Sequence, residues 1–161
     1  MKAQVKAKDK GLYERDFHLW TQQTAELLET GRLNEIDLEH LVEEVAEMGK
    51  RERRELESRL RVLLMHLIKW QTQPSRRGAS WRNTIRLQRL EIRALLKDSP
   101  SLYGPAESSL NSIFGQAMEL ALEEMDMAEL QTVGGPMHMD LHFKGRCPFS
   151  LEQVLNNDFL P

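Results

Sequence analysis

The chain has 161 residues, 40% hydrophobic and 29% charged, with a formal net charge of -3 at neutral pH. That length and composition suffice to bury a core without metal or disulfides, and the single cysteine, Cys147, excludes an internal disulfide framework. No run nears the roughly 18 uninterrupted apolar residues of a membrane span, so the expectation is one helical domain over residues 1–161 in a reducing, cytoplasmic setting.

The first ten residues carry lysines without an apolar run behind them and read as a flexible basic arm rather than a secretory signal. A first helix is expected over Leu12–Thr30, with Phe17, Trp20, Thr24, Leu27 and Leu28 on its buried face and Gly31 as its stop. Asp37 stands where an N-cap is wanted. Leu38, Leu41, Val42, Val45 and Met48 then form the buried stripe of a second helix, and Gly49 is expected to break or kink it. Leu56, Leu60, Leu63, Leu67 and Trp70 recur at alternating spacings of four and three, the seam of a third helix from Lys50 to Gln71.

Pro74, Ser75 and Gly78 predict a short loop, which favours an antiparallel neighbour. Ser80 is placed to cap a fourth helix with the seam Trp81, Ile85, Gln88, Ile92, Leu95, and Arg89 falls beside that seam. Asp98-Ser99-Pro100-Ser101 ends it and opens a fifth helix, whose face is Leu110, Ile113, Phe114, Ala117, Leu120 and Ala121, up to about Met127. Residues 133–161 read as an appendage. Met137, Met139, Leu141 and Phe143 alternate with polar residues, the period of an extended segment. Ser150-Leu151-Glu152-Gln153 has the form of a capping box ahead of a short helix. The fold class is all-α: an up-down bundle of four to five helices with a short extended segment and a small C-terminal helix.

Charge is unevenly spread. Residues 50–97 hold 14 Lys/Arg against 4 Asp/Glu, whereas residues 1–49 hold 6 against 11 and residues 98–161 hold 2 against 10. Basic helices packed on acidic ones explain this, and a basic face for a polyanion is the alternative.

No phosphate loop, Cys-x-x-Cys, His-Glu-x-x-His or nucleophile elbow is present, and no cofactor is expected. Four constellations remain. Glu44, Arg59, His66, Gln88 and Arg89 flank or enter the predicted seams. They form either a satisfied polar layer that fixes helix register or a pocket with an acid–base group and two arginines for an anion. Arg82, Arg86, Arg89 and Arg93 recur on one helix face, and Arg82, Arg86 and Arg93 are the candidate anion or nucleic-acid stripe. His138, Asp140 and His142 are of metal-ligand type on one side of an extended segment, which equally is the wet face of an edge strand. Glu39, Glu43 and Glu47 line one helix face.

Several runs together resemble a known family. They are Tyr13-Glu14-Arg15-Asp16-Phe17-His18-Leu19-Trp20, Arg53 to Leu60, His66-Leu67-Ile68-Lys69-Trp70-Gln71 to Pro74, Ser80-Trp81-Arg82, Gln88-Arg89, Ser99-Pro100-Ser101 and Cys147-Pro148-Phe149 with Gln153. From about Leu12 to Pro161 the chain resembles the bacterial family catalogued as domain of unknown function 29. The resemblance implies an all-α fold and no particular activity. Arg59, His66, Gln88 and Arg89 fall in the matching parts, whereas Met137 to Arg146 does not look typical of the family.

The functional expectation is a non-catalytic interaction or regulatory protein that presents a helical surface to a protein partner, with self-association possible and no membrane. A small enzyme acting on an anionic substrate through the Glu/Arg/His/Gln cluster is one alternative. Nucleic-acid binding through the arginine stripe is the other and is not favoured.

Overall fold

The computed structural model describes residues 11–125, 143 and 146–161. These are α-helical with short 3-10 turns, and hold no strand among the described residues. The helices given in full by the described residues are α1 (Leu12–Arg15), α2 (Phe17–Glu29), α3 (Leu38–Thr72), α4 (Ala79–Asp98), α5 (Tyr103–Glu124) and α6 (Leu151–Leu155). The chain forms two compact units, one ending at Arg51 and one beginning at Glu52.

In the N-terminal unit, the helix expected from Leu12 to Thr30 is interrupted at Asp16, whose backbone leaves the helical region. Its carboxylate accepts the Leu19 N–H at 2.9 Å. Aspartate gains more as an N-cap than inside a helix, so the chain restarts there. Trp20, Thr24 and Leu27 are buried as expected, but Phe17 and Leu28 are exposed. Gly31 does end α2: at φ 70° it lets its own N–H reach the Leu28 carbonyl and the Arg32 N–H reach that of Leu27.

The second and third predicted helices are one. α3 passes through Gly49 without interruption. A single interior glycine costs about 1 kcal/mol, and the Glu, Met, Lys and Arg residues around it are good helix formers. The Leu38, Val42, Val45 and Met48 stripe, expected to be buried, is exposed.

In the C-terminal unit, Leu56, Leu60, Leu63, Leu67 and Trp70 of α3 are all buried. They share a core with Ile85 and Ile92 of α4, Leu110, Ile113, Phe114, Ala117 and Ala121 of α5, and Leu151 and Val154 of α6. Leu120, expected in that face, is exposed. The buried Lys69 forms an ion pair with Glu124 and lies 4.8 Å from the Trp81 ring centre.

α4 starts two residues earlier than Ser80 as a cap would set it, with Gly78 as N-cap and no side-chain cap. Its buried line is Ile85, Arg89, Ile92, and Gln88 is only half-buried. The buried face of α4 is thus turned toward Arg89, because the C-terminal stretch packs there. Ser150 and Gln153 form the expected capping box: Ser150 Oγ accepts the Gln153 N–H at 3.1 Å and Gln153 Oε1 accepts the Ser150 N–H at 2.9 Å. The basic arm and the alternating segment from Met137, apart from Phe143, lie outside the described residues.

Candidate functional site

Arg89 is the anchor of the site. It is 2% exposed and is the largest of the fully buried side chains. Its guanidinium donates to three backbone carbonyls of the C-terminal stretch: Nε to Val154 at 2.8 Å, Nη1 to Asn157 at 3.3 Å and Nη2 to Phe159 at 2.6 Å. One turn on, Arg93 Nη1 donates to the Leu155 carbonyl at 3.4 Å and to Asn157 Oδ1 at 2.9 Å. Val154 and Leu155 are the last residues of α6, so their carbonyls have no partner within the helix. The planar five-donor fork of arginine suits such divergent acceptors in a way a lysine ammonium does not.

Carbonyl oxygens solvate a cation but do not neutralise it. Burial pulls the Arg89 pKa below the usual arginine value, and the charge of Arg93 adds to this; the group stays charged at neutral pH. No carboxylate forms an ion pair with Arg82, Arg86, Arg89 or Arg93 among the described residues.

Beside Arg89 the tail and α4 border a half-open cavity of ≈ 370 Å³ lined by Arg82, Ile85, Arg86, Arg89, Asn157 and Leu160. The positions 82, 86 and 89 follow helical spacing, so three arginine side chains line one hollow from one face of α4. The Arg82 guanidinium also lies 5.6 Å from the Trp70 ring centre, which orients it at low entropic cost. Ile85 and Leu160 supply apolar wall, and the Asn157 amide supplies a donor and an acceptor.

The other members of the predicted polar cluster do not share this site. Glu44 belongs to the N-terminal unit, where it accepts the Tyr13 hydroxyl at 2.7 Å. That bond, with burial and neighbouring glutamates, raises the Tyr13 pKa to about 12. Arg59 donates to Glu55 Oε1 from Nε at 3.0 Å and Nη2 at 2.8 Å, with Glu91 3.5 Å away. His66 Nδ1 lies 2.9 Å from the Val62 carbonyl of its own helix. Gln88 Oε1 is buried and has no hydrogen-bond partner among the described residues. No hydrogen bond or ion pair joins Arg59, His66, Gln88 and Arg89 to one another.

His66 yields a pH prediction. Its pKa lies below the ordinary 6.5, chiefly through burial; Lys69 pushes the same way, and the Val62 carbonyl and Glu124 oppose. The folded state therefore favours the neutral ring. The stability from this preference is whole above pH 6.5 and is lost as pH falls through the lowered value. Urea midpoints measured from pH 7 down to about 4.5 should fall less steeply for His66→Gln than for the wild type. An unchanged profile would show that His66 does not titrate as described. His40, raised by Asp37 Oδ2 at 2.6 Å, has the opposite sign: its contribution is present below pH 6.5 and fades as pH rises through the raised value.

His138, Asp140 and His142 lie outside the described residues, and no metal-binding group of His, Cys, Asp or Glu occurs among those described. The half-buried Cys147 thiol is pushed up by burial, partly offset by its bond to the Phe149 carbonyl, so it is not activated as a nucleophile. Sequence reasoning missed Asn157 and Leu160 because nothing in their local pattern says which helix the tail meets. It also missed the Lys69–Glu124 pair, although a lysine inside Leu67-Ile68-Lys69-Trp70 was a visible signal.

The family model described as Domain of unknown function DUF29 matches residues 12–160. The chain belongs to this family. No curated protein and no solved structure matches it. In this DUF29 protein the arginine-lined hollow lies between α4 and the C-terminal tail. No helix is long and apolar enough to cross a membrane among the described residues.

Proposed function

We propose that the protein is a binding module for an anionic group, a phosphate or carboxylate, received by Arg82 and Arg86 in the hollow beside Arg89. The observation that carries this reading is a cavity lined by three arginines with no carboxylate paired to any of them among the described residues. Three guanidinium groups on one short helix face repel one another, and an anion between them relieves that repulsion while collecting charge-assisted hydrogen bonds. The lining offers donors and apolar wall and no acid–base pair, which favours binding over turnover and an interaction or regulatory role. The free cysteine fits a reducing, cytoplasmic location.

Inorganic phosphate should bind with a dissociation constant on the order of 1 mM. Arg86→Gln removes one charged donor from an exposed position and should weaken binding about tenfold while the melting temperature stays put. Calorimetric titration measures both proteins; equal affinities, or no saturation by about 50 mM, would refute the reading. A single-stranded oligonucleotide extends the test. Arg93 is engaged with the tail, so Arg82 and Arg86 are left for phosphates, and log affinity against log salt should have a slope shallower than about -2. A much steeper slope would point to a broad nucleic-acid surface instead.

A further inference from the structure

The first half of α3 carries an apolar stripe that is left exposed among the described residues. Leu38, Val42, Val45 and Met48 are 64%, 59%, 60% and 62% exposed. Positions 38, 42, 45 and 49 follow the four-three rhythm of a helix–helix seam, and Leu41 and Met48 border it on one side. The unit's own packing uses a different face of the helix. There Tyr13 stacks on His40 with ring centres 4.1 Å apart and donates its hydroxyl to Glu44.

Gly49 lies in this stripe, and a Cβ added there would meet nothing within 4 Å. No packing among the described residues requires glycine there, yet the residue weakens the helix by about 1 kcal/mol. A backbone approaching from outside the chain is a reason for it. The small residue Ala46, also exposed, stands close by on the border of the stripe.

Charge selects the occupant. Glu39 and Glu43 flank the amino-terminal end of the stripe, and Lys50, 68% exposed beside Glu47, flanks the other end on the same side. A second α3 running antiparallel, with its two-fold axis near Ala46, sets Glu43 of each copy against Lys50 of the other. It also brings Val45 of each copy to Gly49 of the other. A parallel arrangement sets the Glu43 and Lys50 side of one copy against the Leu41 and Met48 side of the other and leaves those charges unmatched. The surface is thus complementary to itself, as a two-fold interface requires. We propose that this face binds a second copy of the chain, α3 against α3, antiparallel and centred on Ala46. This rests on observations independent of the arginine hollow.

Sedimentation velocity from about 1 to 200 µM should show a reversible monomer–dimer equilibrium. Val45→Glu, at an exposed position, should leave the helical content of the full chain intact and abolish the dimer. Should that variant fail to fold, single cysteines in a Cys147→Ser background give a second readout. Ala46→Cys should crosslink to itself under mild oxidation, and Leu38→Cys should not. A chain monomeric throughout the range, a dimer that persists in Val45→Glu, or self-crosslinking through Leu38→Cys would overturn the proposal.

Discussion

Arg89→Met is expected to lower the unfolding free energy by about 3 kcal/mol. Methionine refills much of the buried volume that Arg89 occupies at 2% exposure, so the loss isolates the polar head. The carbonyls of Val154, Asn157 and Phe159 each lose their guanidinium donor. The Val154 carbonyl suffers most, since Val154 is fully buried and cannot turn to water at no cost. Arg89→Lys should recover only part, because one ammonium cannot span acceptors that diverge around a planar fork. Urea unfolding measures the stability, and amide exchange should rise selectively over residues 154–159. Because the tail contributes Asn157 and Leu160 to the hollow, phosphate affinity should fall with it. A change under about 0.5 kcal/mol would mean that Arg89 does not secure the tail.

Phe114→Ala carries the largest expected effect on the core. Phe114 is 1% exposed. Its ring meets the edge of Phe143 with centres 5.3 Å apart and planes at 74°. Truncation removes the transfer term, leaves a cavity and ends the ring–ring contact, a loss of about 3–5 kcal/mol. At this chain length that corresponds to a fall of about 10 °C in melting temperature. Phe114→Leu keeps most of the volume and should lose less than half as much. Calorimetry distinguishes the two; equal and small losses would place Phe114 outside the core.

The elements that sequence foretold best are those where one local rule decides. Leu56, Leu60, Leu63, Leu67 and Trp70 form a seam of period 3.5 and all are buried. Gly31 ends a helix because a left-handed residue is needed there, and Ser150 with Gln153 closes a capping box within four residues. Periodicity fails where burial depends on a distant segment. It showed an apolar stripe at Leu38–Met48 but not whether anything covers it. It put Gln88 in the seam and Arg89 beside it, whereas residues some 65 positions further on draw Arg89 inward.

The same limit governs the site. The spacing of Arg82, Arg86, Arg89 and Arg93 was plain, and so was the excess of positive charge between residues 50 and 97. A division of labour among the four arginines was not. Arg89 and Arg93 grip the tail, which leaves Arg82 and Arg86 with guanidinium groups that no carboxylate among the described residues pairs. That division converts a charged helix face into a bounded hollow. The grouping of Glu44 with His66 and Gln88 came from helical wheels, which show the side a residue faces but not the partner it finds.

The most direct test of the anion site watches the guanidinium groups themselves. Arginine Nε–H resonances followed by NMR during a titration with inorganic phosphate should show saturable shifts for Arg82 and Arg86. Arg93, bound to Leu155 and Asn157, should respond weakly, and Arg53, bound to Glu57 at 2.9 Å, not at all. Uniform, unsaturable drift across all arginines would contradict a site in this hollow.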